Sequence, residues 1–183
     1  MVHFRRSLPL RALAAGFAAL LAACADSGIT APDGGAAALG VVAARAKTVG
    51  SATLLACPGL NTERASAVIG AAGGTLAVGG QVMTVPAGAV PTPTLFTMAV
   101  PPGRYMELNI SAAGEAHYAF ARPVSITVDY SRCRGPEPTV ALDAWHINSA
   151  TRELLQDMNG VDDRAARKVT FSTDHLSGYA IAF

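Results

Sequence analysis

The chain has 183 residues, 51% of them hydrophobic, with 14 Lys and Arg against 13 Asp and Glu, for a formal net charge of +1. A duplex nucleic-acid binder needs clustered cations to displace counterions. The densest cluster here, Arg164, Arg167 and Lys168, stands beside Asp162 and Asp163 and reads as a solvated hairpin. Nucleic acid is therefore not an expected partner.

The first 24 residues carry an address. Arg5, Arg6 and Arg11 form a basic start, and an uncharged apolar run follows from Ala12 to Ala23. A basic segment followed by a short apolar one is the pattern of a secretory signal. Twelve helical residues rise only about 18 Å, short of the roughly 30 Å hydrocarbon core that a permanent span must cross. Leu21-Ala22-Ala23-Cys24 ends the run. It resembles the lipobox of bacterial lipoproteins, which implies a signal peptide over residues 1–23 and acylation of Cys24 as the new N-terminus. More than one acyl chain, at about 0.8 kcal/mol per buried methylene, would anchor the protein stably to a membrane. Asp26 stands one place later than the usual inner-membrane retention signal, so the expected location is the cell envelope, and the outer membrane in a Gram-negative cell. Loss of the signal would leave 11 basic against 13 acidic residues, a net charge of about −2.

With Cys24 acylated, Cys57 and Cys133 remain. An even remainder in an oxidising compartment predicts a disulfide between them. No Cys-x-x-Cys spacing suggests redox activity.

Residues 24–56 are rich in Ala and Gly and read as the lipidated cysteine plus a flexible tether, the alternative for Ala36 to Lys47 being a marginal helix. From Cys57 to Phe183 the texture becomes short apolar or alternating runs punctuated by Gly, Pro and Asn every eight to twelve residues. That spacing predicts an all-β fold, a single antiparallel β-sandwich over residues 57–183. In chain order the expected strands are Ser66 to Ile69, Thr75 to Val78, Gln81 to Val85, Thr94 to Val100, Met106 to Ala112, Val124 to Tyr130, Val140 to Ile147, Glu153 to Met158, Lys168 to Ser172 and Tyr179 to Phe183. Val124 to Tyr130 alternates most cleanly, and Pro123 is expected to start that strand, not to lie inside it. In the last strand Tyr179, Ile181 and Phe183 share one face, with Gly178, Ala180 and Ala182 on the other. Trp145 is the one tryptophan; it reads as a core aromatic, the sharper alternative being a sugar-stacking platform.

Two stretches carry a family resemblance. One is Ile69-Gly70-Ala71-Ala72-Gly73-Gly74-Thr75-Leu76 with Val82-Met83-Thr84-Val85-Pro86-Ala87-Gly88-Ala89-Val90; the other is Phe171-Ser172-Thr173-Asp174-His175-Leu176-Ser177-Gly178-Tyr179-Ala180. Together they resemble the ZU-five domain, a β-sandwich named from zona-occludens proteins and netrin receptors, in its bacterial surface form. The resemblance spans most of residues 66–183 and implies a structural or protein-interaction module without a catalytic pocket. Gly73-Gly74 then suits a tight hairpin, and Pro86 with Gly88 a strand end. Some eukaryotic relatives cut themselves at His-Phe-Ser, where this chain has His175-Leu176-Ser177. That chemistry would need Ser177 as nucleophile, His175 within hydrogen-bond reach and a strained peptide at Leu176. The alternative is a polar pair closing a turn.

No nucleophile elbow, phosphate loop or zinc-protease motif is present in the sequence, so no enzymatic activity and no cofactor are expected. Outside the signal, His117, His146 and His175 are far apart and lack close metal-ligand spacing. The loop Asp157-Met158-Asn159-Gly160-Val161-Asp162-Asp163 is rich in oxygen ligands but has no closing glutamate, and reads as a hairpin turn before it reads as a calcium site. The resulting expectation is a monomeric, lipid-anchored, non-enzymatic module that meets another envelope protein or a wall polymer, with metal- or carbohydrate-binding as the alternative.

Overall fold

The structure is a computed structural model that describes residues 52–115, 117–133 and 139–183. The expectations placed on residues 1–51, namely the signal peptide, Cys24 and most of the tether, lie outside the described residues.

Short alternating runs favour strands, and the described residues form thirteen strands and no helix: β1 Ala56–Leu60, β2 Glu63–Ile69, β3 Gly74–Val78, β4 Gln81–Val85, β5 Thr94–Val100, β6 Gly103–Tyr105, β7 Glu107–Ala112, β8 Ala119–Asp129, β9 Asp143–Ile147, β10 Leu154–Asp157, β11 Val161–Asp163, β12 Lys168–His175 and β13 Gly178–Ala182. They make a six-stranded sheet in the order β10-β9-β13-β7-β5-β2, a five-stranded sheet in the order β11-β12-β8-β4-β3, and a ribbon of β1 and β6. Every pairing is antiparallel.

The period-two pattern tells each strand which face to bury. Phe96, Met98 and Val100 of β5 face Val124, Ile126 and Val128 of β8 across one shared core, joined by Met83, Leu108, Phe171, Tyr179 and Ile181. Burying such a side chain fully stabilises the fold by roughly 1.5–3 kcal/mol. The expected β-sandwich is therefore what forms.

Several local expectations are corrected. Pro123 lies inside β8, not at its start. Its missing N–H is tolerated because β4 pairs with β8 only as far as Ser125, and the register of β12 against β8 shifts between Thr173 and His175. Gly73-Gly74 makes a tight turn, with Gly73 N–H donating to Gly70 O at 2.9 Å. The strands it joins, β2 and β3, belong to different sheets, so it is a corner and not a hairpin. Asn159-Gly160 likewise joins β10 in one sheet to β11 in the other, while β11 and β12 form the expected hairpin, with Asp163 opposite Lys168.

Residues at the end of the expected tether belong to the sheet. Thr53 and Phe183 exchange backbone hydrogen bonds at 2.8 and 3.0 Å, and Leu55 N–H donates to Ile181 O at 2.8 Å while its carbonyl accepts from Met106 N–H at 3.1 Å. This entry segment helps cover the outward side of β13. Tyr179 and Ile181 face the main core as their alternation requires, whereas Ala180 and Ala182 join Trp145 and Ile147 in a second cluster closed by Ala52, Leu54 and Leu154. All of β13 is thus buried.

The predicted disulfide is present. Cys57 of β1 is bonded to Cys133, just beyond β8, with Cα atoms 4.3 Å apart across 76 residues of sequence. It ties the β1-β6 ribbon to the five-stranded sheet, and both sulfurs belong to residues of the core.

Candidate functional site

A polar cluster sits where β12 leaves the five-stranded sheet and β13 enters the six-stranded one. The chain must turn between layers within Leu176 and Ser177, and the backbone groups freed by that turn need partners. Leu176 N–H donates to Tyr118 O at 3.0 Å, and Ser177 O accepts from Ile110 N–H at 3.1 Å. The His175 carbonyl receives two hydroxyls, Tyr179 Oη at 2.7 Å and Thr173 Oγ1 at 3.0 Å, and the two hydroxyl oxygens lie 3.2 Å apart. A tyrosine reaching back to a backbone carbonyl at a sheet-to-sheet corner is a recurrent device of β-sandwiches. Burial pushes the Tyr179 phenol up to about 12.

This arrangement sets the histidines. His175 Nδ1 meets Asp174 Oδ1 at 2.9 Å and lies 3.5 Å from Thr173 Oγ1. The hydrogen bond from His175 holds the Asp174 carboxyl below its ordinary value. His146, opposite Tyr179 on β9, packs edge-on against the His175 ring with centroids 5.4 Å apart. Burial, and secondly the neighbouring His175, lower the pKa of His146 from its ordinary value. His117 is exposed in the segment ahead of β8. A cleft of about 290 Å³ opens beside His175, with Gln156, Asp157, Asn159 and Asp174 in its wall.

The structure therefore brings together His146 and His175, which the sequence separates, but does not join His175 to Ser177. Nδ1 of the His175 ring is directed at Asp174 Oδ1, with Thr173 Oγ1 at 3.5 Å, and not at Ser177. Neither Leu176 nor Ser177 has positive φ.

The oxygen-rich loop is committed to its own architecture. Asp157 accepts from Asn159 N–H at 2.8 Å and Asp163 from Ala166 N–H at 2.9 Å. Asp162 is held by Tyr130 Oη at 2.8 Å and Leu142 N–H at 2.9 Å, with Arg164 Nε 3.4 Å away. Among the described residues no group of three His, Cys, Asp or Glu side chains is placed to hold a metal. Trp145 is fully buried, as expected of a core aromatic, so its ring offers no stacking platform. The sequence reading missed Asp174, whose position directly before His175 was the available signal.

No protein-family model matches the chain, and no curated protein matches it either.

Proposed function

We propose that this protein is a lipid-anchored component of a bacterial cell envelope whose β-sandwich is a non-enzymatic binding module of the ZU-five type. The observation that carries the reading is the Cys57–Cys133 disulfide, closed inside the fold with Cys57 fully buried. Such bridges persist in oxidising compartments outside the cytoplasm. That agrees with a signal ending at Leu21-Ala22-Ala23-Cys24 and leaves Cys24 free to take the lipid.

The ZU-five reading is supported by where its motif residues fall. Gly73 closes the turn between β2 and β3, Pro86 follows the end of β4, and His175 and Tyr179 flank the corner between β12 and β13. Binding is favoured over a plain spacer role by the edge of the six-stranded sheet. There Val68 of β2 and its cross-strand neighbour Leu95 of β5 are 68% and 43% exposed. An open edge strand carrying apolar side chains is a template for pairing with another chain. The partner class is another envelope protein or a wall polymer; the module acts as a monomer, takes no cofactor and does not bind nucleic acid. The location is the outer membrane in a Gram-negative cell.

The decisive measurement is the intact mass of the protein from its native membrane, before and after reduction and alkylation. An acylated chain starting at Cys24, with two alkylation sites appearing only on reduction, is the expected result. An unlipidated start overturns the anchor, and two free thiols before reduction overturn the compartment argument.

A further inference from the structure

His146 and His175 stand 29 positions apart in sequence and come from different sheets, yet their rings are in contact, with planes at 68°. We propose that this pair is a binding site for a divalent transition-metal ion of the zinc or copper class, held by two imidazoles and completed by water.

The spacing fits. A metal–nitrogen bond of about 2.0–2.1 Å puts the ion about 3.2 Å from each imidazole centroid, so two rings sharing a tetrahedral ion stand roughly 5.2 Å apart. The observed separation is 5.4 Å. Asp174 supplies the outer partner that metal-binding histidines usually have: its Oδ1, 2.9 Å from Nδ1 of His175, fixes the proton on that nitrogen and leaves the lone pair on Nε2. The adjacent cleft, walled by Asp157, Asp174, Gln156 and Asn159, provides room for bound water and carboxylates that favour a cation.

The class of ion follows from the ligands. Imidazole suits zinc and copper, and hard ions such as calcium prefer all-oxygen sites. Because no third His, Cys, Asp or Glu converges on the pair among the described residues, the ion keeps open positions and exchanges readily. It is not a structural ion that folding requires. When bound it bridges β9 in one sheet to the end of β12 in the other, bracing the corner that Tyr179 closes.

The test is zinc(II) titration of the full chain by calorimetry at pH 7.5, after chelator treatment and with any free Cys24 thiol alkylated. One ion per chain is expected, with His146→Ala and His175→Ala each weakening binding by at least about tenfold, Asp174→Asn by about tenfold, and His117→Ala leaving it unchanged. In the unmutated protein, zinc should shift the imidazole NMR resonances of His146 and His175 ahead of those of His117, a result independent of how any variant folds. Absence of binding at millimolar zinc, binding that survives both substitutions, or resonance shifts confined to other residues would each overturn the site.

Discussion

The phenol of Tyr179 donates to the carbonyl of His175, four residues upstream, at 2.7 Å, and so fixes the path by which the chain passes from one sheet to the other. The carbonyl has a second donor, Thr173 Oγ1, at 3.0 Å. Removing one hydroxyl therefore leaves the acceptor partly satisfied, and Tyr179→Phe should cost about 1 kcal/mol. Thr173→Val should cost a similar amount alone. Together they leave a part-buried carbonyl bare, so the double variant should lose more than the sum of the two. Urea unfolding midpoints of the four proteins in this cycle measure the coupling; strict additivity would show that the two hydroxyls do not share the carbonyl.

Gly73 and Gly114 separate two reasons for keeping a glycine. Both have positive φ, +77 and +85. A Cβ on Gly73 would sit 2.4 Å from Val85 O and 2.8 Å from Ala87 N, both backbone atoms that cannot rotate aside, whereas one on Gly114 meets nothing within 4 Å. Gly114→Ala should thus cost only the left-handed backbone penalty of roughly 1–2 kcal/mol. Gly73→Ala should cost clearly more, because the corner between β2 and β3 must open. Thermal unfolding of the two variants decides it, and equal losses would mean that φ alone accounts for Gly73.

Gln81 is a buried polar side chain with a specific task. Its amide accepts from Asp129 N–H at 2.7 Å and donates to Asp129 O at 3.0 Å, standing in for a strand neighbour where the pairing of β4 with β8 has ended at Val82 opposite Thr127. Gln81→Leu keeps the volume but strands both backbone groups. The expected loss is about 1–3 kcal/mol for leaving them unpaired. A variant as stable as the parent in denaturant titration would show that water reaches Asp129 instead.

How much of this was legible in the sequence depended on whether the signal was local. The strands β4 and β5 match their expected bounds because alternation over Gln81–Val85 and Thr94–Val100 is a property of neighbouring residues. β1, β6 and β11 were missed for the same reason: Cys57-Pro58-Gly59, Gly103-Arg104-Tyr105 and Val161-Asp162-Asp163 carry turn or polar signals, and only a partner strand makes them extended. Whether Gly73-Gly74 and Asn159-Gly160 join strands of one sheet or of two is likewise invisible locally, since a tight turn reads alike in both. Trp145 is readable as buried, but not that it lies with Ala180 and Ala182 outside the main core, because the Ala- and Gly-rich entry segment that covers it carries no strand signal of its own. The candidate site is the extreme case. The ring contact of His146 with His175 exists only because β9 and β12 end at the same corner.

The disulfide joins positions 76 apart in sequence, from β1 to just beyond β8. Restricting so long a loop in the unfolded chain is worth roughly 4–5 kcal/mol in the entropy model, and measured losses on removing native bridges run about 2–5 kcal/mol. Cys57→Ala with Cys133→Ala should lower the urea midpoint accordingly without abolishing the sheet signal in circular dichroism. Because each sulfur sits in the core, replacement also removes packing, so reduction of the unmutated protein under the same conditions provides the comparison. A negligible loss by both routes would mean that the β1-β6 ribbon is held by its other contacts.

The same buried phenol predicts how the fold responds to alkali. In the unfolded chain a tyrosine releases its proton near pH 10, whereas in the folded protein Tyr179 holds it to about 12. Between those values the unfolded state has lost a proton that the folded state keeps. The contribution is therefore complete below pH 10 and is lost as pH rises from 10 to about 12, an effect of order 2 kcal/mol. Other groups titrate in that range, so the comparison is between the parent and Tyr179→Phe. The stability difference between them should narrow, and then reverse in favour of the phenylalanine variant, as pH rises past 10, because phenylalanine has no proton to lose. Parallel curves from pH 8 to pH 12 would mean that the folded phenol ionises as readily as the unfolded one, and that the corner admits water to Tyr179.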